Sequence, residues 1–291
     1  MKVEFRIICG IAALFILTNC SKGAHNNFTQ KTKKAAIING TPVTADQALA
    51  KSVVGLMMNG EFDGRNNFWI QGCTGSVLNK NFILTAAHCV KDQNSSDMAI
   101  NFSLNSVTFN KQLDPATRIS DIENKFTIRK VKSFAMHPLY DGSGSHDVAI
   151  ILLDGETPAD AIPVQILPDQ YVDLTNNKTT FDLQNIEVIL MGFGLISENP
   201  IAETEVLRTT TVPAVFNDQY VITDQTGGSG GCNGDSGGPA FFVFEGVTYQ
   251  VGITHGPRIG STTCHEQGEW VNPALNKNFL ADAQAALLAE K

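Results

Sequence analysis

From Ser52 onward the chain is assembled from short runs of β-type residues, each cut off by turn residues. The clearest are "SVVGLMM" (52–58), "NFILTA" (81–86), "DVAIILL" (147–153) and "NIEVILMGFG" (185–194), followed by "AFFVF" (240–244) and "YQVGI" (249–253) on either side of Glu245 and Gly246. Runs this short, rich in β-branched and aromatic residues, suit strands and not helices. Their repetition predicts an all-β sandwich or barrel. Only "NPALNKNFLADAQAALLAEK" (272–291) has helical spacing, with Leu275, Phe279, Ala283, Ala286 and Leu287 on one face, so a terminal helix is expected there. The polar stretch 91–124 predicts loops and edge strands, and no internal repeat is visible.

A chain of 291 residues with 43% hydrophobic and 17% charged residues can bury a substantial core. The net charge of -8 opposes binding to nucleic acid, and the short basic run "KTKK" (31–34) reads as solvated linker. At the start, Lys2 and Arg6 precede an apolar run from Ile7 to Leu17. That is the layout of an export signal, and the run is shorter than the roughly 20 apolar residues of a membrane span. It ends in "LTNC" (17–20), which resembles a bacterial lipobox and makes Cys20 a candidate for lipidation, although Asn19 is bulkier than the small residue usual there. With or without the lipid, the reading is an exported protein. Residues 1–20 are then a signal peptide, 21–36 a polar pro-segment or tether, and 37–291 the folded domain.

Outside the signal, four cysteines remain: Cys73, Cys89, Cys232 and Cys264. An even number in an exported chain favours two disulfides, and four cysteines allow three pairings. The rival is a metal site, since His88 and His265 each adjoin a cysteine, but no zinc-type CxxC spacing is present. Neither a metal nor another cofactor is expected.

Three segments carry residues suited to acyl transfer. "GGCNGDSGGP" (230–239) sets Ser236 on a glycine-flanked bend where the N–H groups of Gly234 and Ser236 can converge. By itself such a stretch reads as a turn. His88, in "LTAAHCV", follows a β-type run and two small alanines, and Asp147 opens the fully apolar "DVAIILL". A carboxylate entering a core needs a partner, and a histidine is the obvious one. His137 and His146 read as surface or loop residues, and "CHEQGE" (264–269) lacks a second histidine at metalloprotease spacing.

"LTAAHC", "HDVAIILL" and "GDSGGP", in that order, resemble the three signatures of the trypsin/chymotrypsin family of serine proteases, which runs His, Asp, Ser. The likeness extends over most of residues 37–291 and includes "HPLY" (137–140) and "MGFG" (191–194). It implies two packed six-stranded antiparallel Greek-key barrels with a C-terminal α-helix. It also implies Ser236 as nucleophile, His88 as general base and then acid, Asp147 as the carboxylate orienting the imidazole, and Gly234 and Ser236 as oxyanion-hole donors. The family pairs the cysteines as Cys73 with Cys89 and Cys232 with Cys264.

"IING" (37–40) resembles the family's mature N-terminus. The resemblance implies a zymogen cut before Ile37, whose freed α-amino group pairs with Asp235. Ala36, not a basic residue, precedes that cut, so a separate activating protease is expected instead of trypsin-like self-cleavage. The pocket floor falls on Gly230, with Gly256 and Gly268 on the walls, and no aspartate stands at the floor to attract Lys or Arg. A large apolar side chain is therefore expected to enter, although Glu266 and Glu269 lie near enough in sequence to bring a charge. His255 follows Thr254 at a position where many relatives carry a tryptophan lining the substrate groove, which offers it a substrate contact. The implied protein is a monomeric serine endopeptidase acting on protein or peptide substrates. It would touch the membrane only through a lipid on Cys20, and be periplasmic or extracellular once cut. The alternatives are a non-catalytic protease homologue that only binds, and an esterase using the same residues.

Overall fold

The computed structural model describes residues 37–62, 65–106, 126–144, 146–176, 178–180, 186–217 and 219–290. The signal, Cys20, the tether and residues 107–125 lie outside the described residues. The apolar runs become strands of two closed barrels. The first contains β2 (Val53–Phe62), β3 (Arg65–Val77), β4 (Phe82–Thr85), β5 (Met98–Asn101), β6 (Ile128–Met136) and β7 (Ala149–Leu153), in the order β2-β3-β4-β7-β6-β5. β4, β5 and β7 are buried along their whole length, which is why "FILT" and "AIILL" are apolar without alternation.

Between the barrels β8 (Val172–Asp173) pairs with β9 (Lys178–Thr179). The second barrel is β10 (Ile186–Gly192), β13 (Arg208–Asn217), β14 (Tyr220–Asp224), β15 (Pro239–Phe244), β16 (Val247–Pro257) and β17 (Gln267–Val271). Its order is β13-β10-β15-β16-β17-β14, closed by pairing of β13 with β14, while β1 (Thr41–Pro42) adds to β13 outside the ring. The short pair β11 (Ser197–Glu198) and β12 (Ile201–Ala202) projects from the β10–β13 connection. At the β15–β16 hairpin, Glu245 and Gly246 both take positive φ (50° and 77°), the two-residue turn whose twist matches antiparallel strands.

Two details differ from the sequence reading. β5, in the stretch read as loops and edge strands, is fully buried and pairs on both sides, with β2 and with β6. The terminal helix α2 (Lys277–Ala289) buries Leu280, Ala283 and Leu287, while Ala286 faces solvent and Phe279 is half-buried. The helix begins only at Lys277, after a 3-10 turn over Pro273–Asn276, and this offset sets which face is turned inward. Its buried side joins the first barrel's core, so a segment that follows the second barrel is fastened to the first. A further tie is the buried bond from Ser76 Oγ on β3 to Gln250 Oε1 on β16, at 2.7 Å.

Candidate active site

The site lies where the two barrels meet. His88 stands on α1 (Ala87–Val90), a single helical turn directly after β4. Ala86 and Ala87 are fully buried, so their small side chains let the turn press against the barrel and leave the imidazole at its rim. Asp147 reaches the same place from the other side. His146 takes a left-handed φ of 71° and turns the chain so that the next residue enters the core at the head of β7. His146 also stacks on His137, with centroids 4.4 Å apart, and burial, aided by the His146 charge, lowers the His137 pKa to about 4.

Asp147 is fully buried, and both of its oxygens accept hydrogen bonds. Oδ1 accepts the backbone N–H of His88 at 2.8 Å, and Oδ2 lies 2.6 Å from His88 Nδ1. Burial opposes its ionisation, but hydrogen bonds from His255 and His88, together with the charge of His88, outweigh this and bring its pKa down to about 2. An ionised Asp147 makes Nδ1 of His88 the donor and leaves Nε2 without a proton, the form a general base requires.

Ser236 comes from the second barrel. Thr74 N donates to Ser236 O at 2.8 Å. A Cβ at Gly237 (φ 77°) would collide with Thr85 Oγ1 and the Thr74 carbonyl, so glycine is what allows the serine loop to lie against the strand end that carries His88. Two neighbouring peptides are pinned by their carbonyls. Leu195 N donates to Asn233 O at 2.7 Å and Gly238 N donates to Asp235 O at 2.8 Å. In a trans peptide the N–H points opposite the C=O, so the N–H groups of Gly234 and Ser236 are turned away from those partners, as oxyanion donors must be.

Both disulfides join the pairs named above, Cys73 to Cys89 beside His88 and Cys232 to Cys264 beside the serine loop. Their sulfurs are thereby withdrawn from metal binding. Bridges of this kind persist in oxidising compartments.

With two closed six-stranded barrels and this His–Asp pair at their junction, the comparison with known proteins is decisive: residues 37–268 match the family described as Trypsin. The chain belongs to the trypsin family. Brachyurin from Leptuca pugilator is 30% identical over 191 residues, covering 62% of this chain and 74% of that protein. Chymotrypsin-like elastase family member 1 from Canis lupus familiaris is 25% identical over 207 residues, covering 64% and 70%. The clotting factor G beta subunit of Tachypleus tridentatus is 28% identical over 193 residues, covering 58% of this chain and only 57% of that longer relative.

Beside Ser236 a cavity opens, with Gly256, Gly268, Cys232, Thr254 and Trp270 among its walls. Gly231 lines it; Gly230, expected as the floor, lies behind Gln225 and pairs with Ile38. Gln225 is the feature that sequence reading missed. Its Oε1 accepts the Gly231 N–H at 2.7 Å and its Nε2 donates to Cys264 O at 2.8 Å, so the amide closes the bottom of the cavity as a neutral, satisfied group. Neither nearby glutamate lines the cavity. Glu266 accepts the Thr262 N–H, and Glu269 lies beside His255.

His255, expected to offer a substrate contact, keeps part of its ring exposed while its Nδ1 is engaged inside the protein. β16 slips register against β17 between Thr254 and Gly256, and the bulge turns His255 to Asp147, with Nδ1 2.6 Å from Oδ2. The phrase "ITHG" gave no sign of this, because a bulge reverses the side to which a strand residue points.

Asp235, one residue before Ser236, is also fully buried. It accepts N–H bonds from Gly194 and Cys232, both at 2.8 Å, but burial outweighs them and raises its pKa to about 7. The side chain of Ile37 is buried in the second barrel's core, and Ile38 bridges Gly230.

Proposed function

We propose that this protein is a serine endopeptidase, made as a precursor and activated by cleavage before Ile37. The observation that carries the proposal is the buried Asp147 carboxylate, 2.6 Å from His88 Nδ1, at the barrel junction where the Ser236 loop packs. In this reading His88 Nε2 takes the Ser236 proton as Oγ attacks the substrate carbonyl, and Gly234 and Ser236 N–H groups receive the negative oxygen. His88 then protonates the leaving amine, and water repeats the sequence on the acyl-enzyme.

Two cavities along the serine loop support cleavage within a chain. The one walled by Gly256 and Gly268 includes Ser236, and a second, lined by Gln71, Phe193, Leu195 and Gly234, shares Asn233 with it. The first has no charged side chain in its wall, which favours an apolar residue before the scissile bond over Lys or Arg. A peptide series is expected to give kcat/KM at least about tenfold higher for Phe or Leu than for Lys at that position.

Cleavage before Ile37 would free an ammonium group next to two buried isoleucines, and Asp235 is the buried carboxylate for it to neutralise. The same cut would separate the domain from Cys20 and any lipid there. A fluorophosphonate probe tests the proposal: it should label the cleaved form, leave Ser236→Ala unlabelled, and label the uncleaved chain weakly. Labelling retained in Ser236→Ala would overturn it, and N-terminal sequencing of the labelled species should begin at Ile37.

A further inference from the structure

Asp147 Oδ2 serves two imidazoles at once. His88 Nδ1 and His255 Nδ1 each lie 2.6 Å from it, and the rings meet edge to face with centroids 6.0 Å apart. A carboxylate oxygen has the lone pairs to accept both, so both histidines are held as Nδ1–H donors. The two arrive from different barrels: His88 and Asp147 belong to the first, His255 to β16 of the second. The residue before His255 is tied to the serine loop, since Thr254 N donates to Gly238 O at 2.9 Å and Gly237 N donates to Thr254 O at 2.8 Å. A hydrogen-bonded path therefore runs from the Ser236 loop through Thr254 and His255 to Asp147 and His88.

We propose that His255 is a positioning residue for the reaction: it fixes the Asp147 carboxylate from the second barrel and shares the oxygen that orients His88. The inference rests on the serine-protease reading. The charged and titratable groups that face His255 are Asp147 ahead of β7, His88 on α1 and Glu269 on β17, and Arg258, just past β16, acts on Glu269 in turn. The hydrogen bond to Asp147 raises the His255 pKa against the opposing effect of burial, and the charges of Asp147 and Glu269 add to the rise. A proton on His255 draws on the negative charge of Asp147 and leaves less of it to stabilise a positive charge on His88. Activity then persists to lower pH than with one histidine on that carboxylate.

The test is the pH dependence of kcat and KM for the cleaved enzyme, wild type against His255→Asn and His255→Phe. The Asn amide nitrogen can stand where Nδ1 stands, so His255→Asn should keep kcat within about threefold while the acidic limb of kcat/KM moves up by about half a pH unit. His255→Phe removes the donor and should lower kcat about tenfold or more with KM nearly unchanged. Unaltered profiles in both variants would overturn the proposal, as would a loss confined to KM, which would put His255 against substrate. If His255→Phe does not fold, the His255→Asn profile decides. A readout independent of activity is proton NMR of the uncleaved Ser236→Ala chain. Two downfield imidazole N–H protons are expected, with one lost in His255→Asn, and a single resonance before that substitution would overturn the shared carboxylate. An enzyme that neither labels nor cleaves would sink the protease reading, while the resonance pair would still judge the shared oxygen.

Discussion

Asp147 in the first barrel and Asp235 in the second are both shut off from solvent, and their carboxyls are driven in opposite directions. Two imidazoles and a backbone N–H hold Asp147 ionised with a pKa of about 2, whereas Asp235 has two backbone N–H donors and rises to about 7. Burial acts in the same sense on both, so the partners decide. Asp147 meets groups able to carry positive charge, whereas the donors to Asp235 are neutral peptides. One carboxylate has its partners as the chain folds, and the other lacks a cation, which in the proposed activation cleavage before Ile37 would supply.

The largest effect should come from breaking the Asp147 side of this contrast. Asp147→Asn keeps the shape but turns an amide N–H towards a ring nitrogen, which stabilises the wrong imidazole tautomer. The expected loss in kcat is about 10⁴-fold, the size that this change produces in a well-characterised serine-protease triad. A kcat within tenfold of wild type at neutral pH would remove Asp147 from the catalytic role.

Asp235→Asn should act differently in the two forms of the chain. A carboxyl raised in the folded state supports folding below its ordinary range near 3.8, and that support is lost as pH rises through about 7. Urea unfolding of the uncleaved Ser236→Ala chain should therefore show stability falling by about 2 to 3 kcal/mol from pH 5 to pH 8. Adding Asp235→Asn should flatten that slope. In the cleaved enzyme the same substitution should cost activity, because the Ile37 ammonium would lose its partner. A slope that survives Asp235→Asn would mean that another group sets it.

Smaller differences should separate the disulfides. Chain-entropy arithmetic gives about 3 kcal/mol for Cys73–Cys89, which are 16 residues apart, and about 0.6 kcal/mol more for Cys232–Cys264, 32 apart. Serine pairs at each bridge, compared by chemical unfolding, should reproduce that order. Steady-state kinetics should show the first lowering kcat through His88 and the second raising KM through the cavity wall.

Much of the site was legible because the chemistry depends on short segments with local constraints. "LTAAHC" needs small residues behind the imidazole, and Ala86 and Ala87 are fully buried. "GDSGGP" needs glycine where the main chain bends or is approached closely, and Gly234 and Gly237 both take positive φ. The strands were legible from their apolar content, but their neighbours were not. "MAIN" (98–101) sits in a polar stretch, and its place inside the first barrel depends on partners in β2 and β6 that local sequence does not reveal. Gln225 escaped notice for the same reason, since its bonds reach Gly231 and Cys264.

By itself the sequence determined the strand-rich class and the family and singled out Ser236, His88 and Asp147 as the residues for the proposed reaction, because residue type and spacing act over a few neighbouring positions. Only the tertiary structure decided that His255 turns to Asp147, that Gln225 closes the cavity, and that two equally buried aspartates differ in protonation. Each of these depends on atoms brought together across the barrel interface or around a barrel. The pKa of a buried group is set by that assembled surrounding, which no single segment contains.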